Sequence, residues 1–186
     1  MGDVARRGSG CLGEGVAPSL LQSLRRLRSG HALLPWLTGS AQWCFKDFTT
    51  PLRAENPVPR INQKGVLERD MTKKEGYFLF QSYWSEEPMA HIYGHSRPVR
   101  WGAEGEPRMA KVYSNCPTAE LFVNGKSAGV RHRDSLDFPA AGLRWMVNFA
   151  AGTNHLRVVA KKEGVTVSDE IEFEYQTAKW YKSAKL

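Results

Sequence analysis

The sequence predicts an α+β chain, with a mixed first half and an all-β second half of sandwich type. Three observations carry this. Ala119-Glu-Leu-Phe-Val-Asn124-Gly125-Lys-Ser-Ala-Gly-Val130 places Asn-Gly between two apolar stretches. That dipeptide signals a hairpin, because both central residues of a type I′ turn need positive φ. Next, Leu143-Arg-Trp145-Met-Val147-Asn-Phe149, Leu156-Arg-Val158-Val-Ala160 and Ile171-Glu-Phe173-Glu-Tyr175 alternate apolar and polar residues, so each turns one apolar face inward. In the first half, two aromatic segments, Trp43 to Phe48 and Tyr77 to Trp84, flank a loop rich in Pro and Gly. With 41% hydrophobic and 11% aromatic residues, the chain is a folded one that builds at least one core.

Taken in order, residues 1–34 form an irregular or helical N-terminal segment. Within it, Leu20, Leu21, Leu24 and Leu27 share one helical face, with Arg25, Arg26 and Arg28 elsewhere. Pro35-Trp36-Leu37-Thr38-Gly39 leads into Ser-Ala-Gln-Trp43-Cys-Phe-Lys46-Asp47-Phe48, whose short hydrophobic and aromatic residues read as a buried strand. Thr50 to Pro59 is a Pro-rich loop, and Asn62-Gln63-Lys64-Gly65 closes it. Asp70 to Glu75 carries a helix-start signal ahead of an apolar run. That run, Tyr77-Phe-Leu-Phe-Gln-Ser-Tyr-Trp84, is strand by aromatic propensity alone, and its periodicity does not settle the matter. Glu86-Glu87-Pro88 marks a boundary. Beyond it come short segments with turn signals at Gly152-Thr-Asn154 and Glu163-Gly164, the spacing of an immunoglobulin-like sandwich without the Cys, Trp, Cys signature.

The first half resembles the end of the catalytic barrel of glycoside hydrolase family 2, the β-galactosidase and β-glucuronidase family. Trp43 matches that family's tryptophan on the eighth strand. Asp47-Phe48 matches the acidic-aromatic pair closing the strand, and Arg69-Asp70, Lys73-Lys74 and Tyr77 match the turn into the final helix. On this resemblance Tyr77 to Trp84 is helix. The second half, through Val112-Tyr-Ser-Asn115-Cys116 and Glu120-Leu-Phe-Val-Asn-Gly-Lys126-Ser, resembles the immunoglobulin-like domain that follows the barrel.

The domains implied are 35–87, an incomplete C-terminal end of a (β/α)₈ barrel, and 88–180, an immunoglobulin-like sandwich, with 181–186 a tail. A complete barrel needs about 250 residues, so a chain of 186 residues does not hold one, and the resemblance implies a C-terminal piece. Residues 19–34 then have two readings, a membrane-surface or targeting helix and the remnant of the helix before the eighth strand.

A retaining glycosidase needs two carboxyl groups about 5 to 5.5 Å apart. The resemblance places the family's two glutamates on earlier strands, so no catalytic residue is expected in this chain. The candidate substrate-binding residues are Trp43, Asp47 and Lys46. Trp43 could stack its indole on a sugar ring or pack in a core. Asp47 either orients other groups of the site or is a hydrogen-bonded cap at the strand end. Lys46, with Arg53 and Arg60 of the adjoining loop, could meet sugar hydroxyls or carboxylates, or simply be solvated. Trp101 and Trp145 are expected in the core.

Net charge is +7, but it is dispersed and accompanied by no binding module, so no nucleic-acid partner is expected. Cys11, Cys44 and Cys116 lie far apart without Cys-x-x-Cys spacing and read as buried free thiols. His91-Ile-Tyr-Gly-His95 reads as a strand, which would hold the two histidines roughly 13 Å apart, too far to share an ion. Neither a metal nor another cofactor is expected. No run of 18 apolar residues occurs, so no membrane span is expected. Arg6-Arg7 is followed by a Gly-rich polar stretch rather than the apolar core of a secretory signal. The compartment stays open. The expected partners are a β-glycoside and the remainder of a glycosidase barrel. An alternative is a stand-alone, non-catalytic carbohydrate-binding or interaction module.

Overall fold

The computed structural model describes residues 42–52, 59–134 and 142–177. The helical readings of residues 19–34, together with Arg53 and Cys11, lie outside the described residues. The chain divides into two compact units, Met1–Tyr77 and Phe78–Leu186. No helix of the described residues is long and apolar enough to cross a membrane.

The described part of the first unit is small. β1 (Phe48–Thr49) pairs antiparallel with β2 (Ile61–Asn62). The expected strand upstream of Phe48 survives only as a single parallel bridge between Lys46 and Leu67. Asp47 N–H donates to the Leu67 carbonyl at 3.0 Å, and Leu67 N–H to that of Phe45 at 3.0 Å. Leu67 bridges Lys73 in turn, across a tight turn in which Asp70 Oδ1 accepts the Thr72 N–H at 3.0 Å. Asp70 thus shapes the turn rather than capping a helix. The helix α1 begins later, spanning Glu75–Trp84. The aromatic run is therefore helical, as the resemblance implied and propensity did not.

The second unit is a two-sheet sandwich. β3 (Ala90–Ile92), β5 (Arg108–Ser114) and β8 (Gly142–Val147) make the narrow sheet, in the order β3-β5-β8. The wide sheet has the order β4-β10-β9-β6-β7, from β4 (Val99–Gly102), β6 (Thr118–Val123), β7 (Lys126–His132), β9 (Gly152–Lys162) and β10 (Val165–Thr177). Period-2 alternation does the sorting. Leu143, Trp145 and Val147 from the narrow sheet meet Leu121, Leu156, Val158, Ile171, Phe173 and Tyr175 from the wide one in a single buried cluster. Each fully buried Leu or Val contributes about 1.5–3 kcal/mol. Trp145 is 1% exposed and donates its indole N–H to the Gly129 carbonyl at 2.8 Å, tying β8 to β7. Trp101, by contrast, is 59% exposed, outside the core expected for it. Cys44 and Cys116 are buried free thiols.

Both two-residue hairpins form as the turn chemistry dictates. Asn124 and Gly125 have φ of 50° and 78° between β6 and β7. Glu163 and Gly164, at 52° and 80°, join β9 to β10. At the wide sheet's outer side, the β6–β7 register shifts between Glu120 and Phe122, and β7 carries Lys126, Arg131 and His132.

Gly152 to Asn154 starts β9 instead of forming a free turn. Asn154 is fully buried. Its side chain accepts from Ala150 N–H at 3.0 Å and Asn124 Nδ2 at 3.0 Å, and donates to the carbonyls of Ala150 at 2.7 Å and Gly152 at 3.0 Å. Asn115 acts likewise on the segment after α1. It accepts from Met89 N–H at 2.8 Å and donates to the Ser85 and Glu87 carbonyls at 2.9 and 2.6 Å. Lys162 Nζ adds a bond to the Glu86 carbonyl at 2.6 Å. The boundary expected at Glu86-Glu87-Pro88 is thus a pinned stretch.

The strand expected across His91 to His95 is not formed. β3 stops at Ile92, and the chain turns through Tyr93 to Ser96 with Gly94 at φ 99°. His91 and His95 are therefore stacked, with ring centroids 4.6 Å apart, not separated along a strand. A glycine able to take positive φ is what makes the reversal cheap.

Replacing Asn154 with Ala strips partners from buried backbone groups, so unfolding free energy should fall by about 1–3 kcal/mol. A lower denaturant midpoint at unchanged slope would register this, and an unshifted midpoint would contradict the role given to Asn154.

Candidate functional site

The resemblance points to Trp43, Lys46 and Asp47, all in the first unit. Asp47 is 1% exposed, and the chain around it explains how a carboxylate is kept there. Lys74 Nζ lies 2.7 Å from each carboxylate oxygen. Gly65 N–H donates to Oδ1 at 2.9 Å. A buried charge is tolerable only when paired and hydrogen-bonded in this way. Lys74 is held by a further bond to the Gln63 carbonyl at 3.3 Å. A Cβ at position 65 would collide with the backbone of Lys46 and Asp47 and with the carboxylate itself, so only glycine lets the loop close against Asp47.

Glu68 joins this group, with Oε1 3.7 Å from Lys74 Nζ. Burial pushes its carboxyl above the usual 4.5; Lys74 pulls it down, while the charge of Asp47, a hydrogen bond to Asp47 and the charge of Asp70 push it up. Cys44, whose Sγ donates to the Lys46 carbonyl at 3.3 Å, has its thiol raised by burial first and by Asp47 next. It is not an activated nucleophile. Chemically, Asp47 is a fixed negative charge whose two oxygens are occupied by an ammonium and an amide, which suits positioning and not attack.

Trp43 is 72% exposed, its indole meeting the edge of Phe48 with centroids 6.1 Å apart at 77°. The core reading of Trp43 does not hold among the described residues. Its peptide bond to Cys44 is cis. Phe45, at 62%, and Lys46 are exposed as well. Arg60 is exposed at φ 62°. The structure thus brings Asp47 together with Lys74, Gly65 and Glu68, and leaves Trp43 and Lys46 facing outward. Lys74 was the residue missed; a lysine 27 positions from the aspartate gives no local signal, although it belongs to the quoted Lys73-Lys74 pair.

Residues 105–168 match a family described as a domain of unknown function (DUF4982). A protein of Formosa agariphila provisionally named a β-glucuronidase is 49% identical over 149 residues, covering 80% of this chain and 18% of that protein. The β-galactosidase BoGH2A of Bacteroides ovatus is 28% identical over 149 residues, 80% of this chain and 16% of its own. Among solved structures, the β-glucuronidase of Parabacteroides merdae is similar with a TM-score of 0.77 and 55% identity, over 89% of this chain and 20% of that one. β-Glucuronidase 3 of Bacteroides uniformis gives 0.77 and 53%, over 90% and 20%. The chain thus spans about a fifth of the length of these relatives.

Two consequences can be measured. Lys74→Met leaves the Asp47 carboxylate buried without its counter-charge, and stability should drop by about 3–5 kcal/mol, with much of the loss recovered when Asp47→Asn is added. An additive double mutant would contradict the pairing. A carboxyl raised in the folded state stabilises below its unfolded value and loses that contribution as pH climbs through the folded one. The wild-type denaturation midpoint should therefore decline as pH rises above 4.5, and Glu68→Gln should flatten that decline.

Proposed function

Because the chain belongs to glycoside hydrolase family 2, we propose that it is the C-terminal portion of an enzyme hydrolysing O-glycosidic bonds, lacking the catalytic glutamate pair. Residues 35–87 would complete a (β/α)₈ barrel, and 88–180 would be the immunoglobulin-like sandwich beside it. The observation that carries this reading is the 49% identity to a β-glucuronidase of which the chain spans 18%. A β-glucuronide is favoured over a β-galactoside as substrate class, since the relatives at 49–55% identity are named β-glucuronidases and the β-galactosidase stands at 28%.

In this reading Asp47 orients its surroundings through Lys74 and Gly65. Trp43 offers an indole face to a sugar ring, and Lys46 is a cation available to its carboxylate. The exposed Phe45, Leu52 and Met71, at 62%, 83% and 50%, form apolar surface for the rest of the barrel to cover.

The test is hydrolysis of aryl β-glucuronides and aryl β-galactosides by the purified, folded chain, with Trp43→Ala beside it. No turnover of either series is expected. Turnover abolished by Trp43→Ala would place the acid and nucleophile within this chain and overturn the reading.

A further inference from the structure

We propose that His91, His95 and Asp169 form a binding site for a divalent transition-metal ion of the zinc type. None of these residues takes part in the function proposed above, so this site stands or falls independently.

The turn at Gly94 folds His95 back over His91, the two rings stacked at 15°. From β10, Asp169 reaches both. Its Oδ2 lies 2.7 Å from His95 Nε2 and 3.8 Å from His91 Nδ1. One ligand atom from each of the three residues lies within 4.8 Å of the other two. The set is two imidazoles and a carboxylate, which suits zinc with water in the remaining position, at ligand distances of about 2.0–2.2 Å.

The surroundings supply rigidity on one side and freedom on the other. His91 is buried and stacked on Phe78, with centroids 3.5 Å apart at 9°. Asp169 is anchored because the Ile92 N–H donates to Oδ2 at 2.6 Å, the same oxygen that faces both histidines. His95 sits on the turn with its side chain 39% exposed, so its ring can rotate out of the stack to aim a nitrogen lone pair at the ion. Electrostatics moderate the affinity. Arg100 donates to the Gly94 carbonyl at 3.3 Å, with its guanidinium 3.9 Å from the Phe173 ring, and places a positive charge beside the turn. A bound ion would tie the β3 turn to a strand 74 residues away in sequence and would stabilise the fold by mass action.

The experiment titrates Zn²⁺ into the full 186-residue chain, free of any affinity tag, by calorimetry, and follows Co²⁺ binding by its visible absorption. One ion per chain is expected, with a Tm that rises with Zn²⁺. His95→Ala gives up an exposed ring with its stack on His91 and its contact to Asp169, and Asp169→Asn retains an acceptor for Ile92. Each should weaken binding by more than the roughly 10–100-fold that loss of a ligand's outer partner costs, with circular dichroism confirming the fold. His155→Ala removes the exposed partner of Glu170, 3.1 Å away, and should change nothing. Absence of saturable binding, equal affinity in His95→Ala, or equal loss in His155→Ala would each overturn the proposal.

Discussion

The sandwich depends on register. β9 is paired on one side with β10 and on the other with β6, and it sends Leu156, Val158 and Ala160 inward. A slip of one residue against either neighbour would turn that whole set to solvent and bring Arg157 and Lys161 into the core. The slip is opposed at both ends. The Glu163-Gly164 turn fixes β9 against β10, and the buried Asn154 amide holds the entry to β9 through Ala150 and Asn124. Everything that packs on the wide sheet, including Trp145 and the strands β5 and β8, is placed by that alignment.

The first unit obeys a different constraint. Few of its described residues are buried, and those that are gather round a charge: Asp47, with Gly65 and Cys44 beside it and Leu67 bridged to Lys46. An ammonium on two oxygens of a buried carboxylate fixes the geometry of the loop, because removing either partner leaves the other charge uncompensated. The loop is thus held from inside while its aromatic residues face out.

How much of this was legible follows from the range of each interaction. Alternation and the Asn-Gly and Glu-Gly turns act over a few residues, and β6 to β10 can be read from them. The helix at Tyr77 to Trp84 cannot, because its aromatics favour a strand locally; only the resemblance carried it. The pairing of Asp47 with Lys74 and the staples made by Asn115 and Asn154 join residues distant in sequence, so no pattern announces them. The meeting of His91 and His95 was missed although its signal, Gly94, stands between them. A single positive-φ residue converted a supposed strand into a reversal. Trp43 has two possible environments by sequence, a sugar face or a core, and among the described residues it is exposed.

The wide sheet ends on one flank in a strand only four residues long and on the other in β7, whose pairing is irregular and which bears three basic side chains, counting histidine. Short, bent or charged borders make poor templates for a further strand. Among the described residues, the wide sheet therefore offers a neighbouring copy no long, flat border of the kind whose edge-to-edge zippering turns exposed β-sheets into fibres.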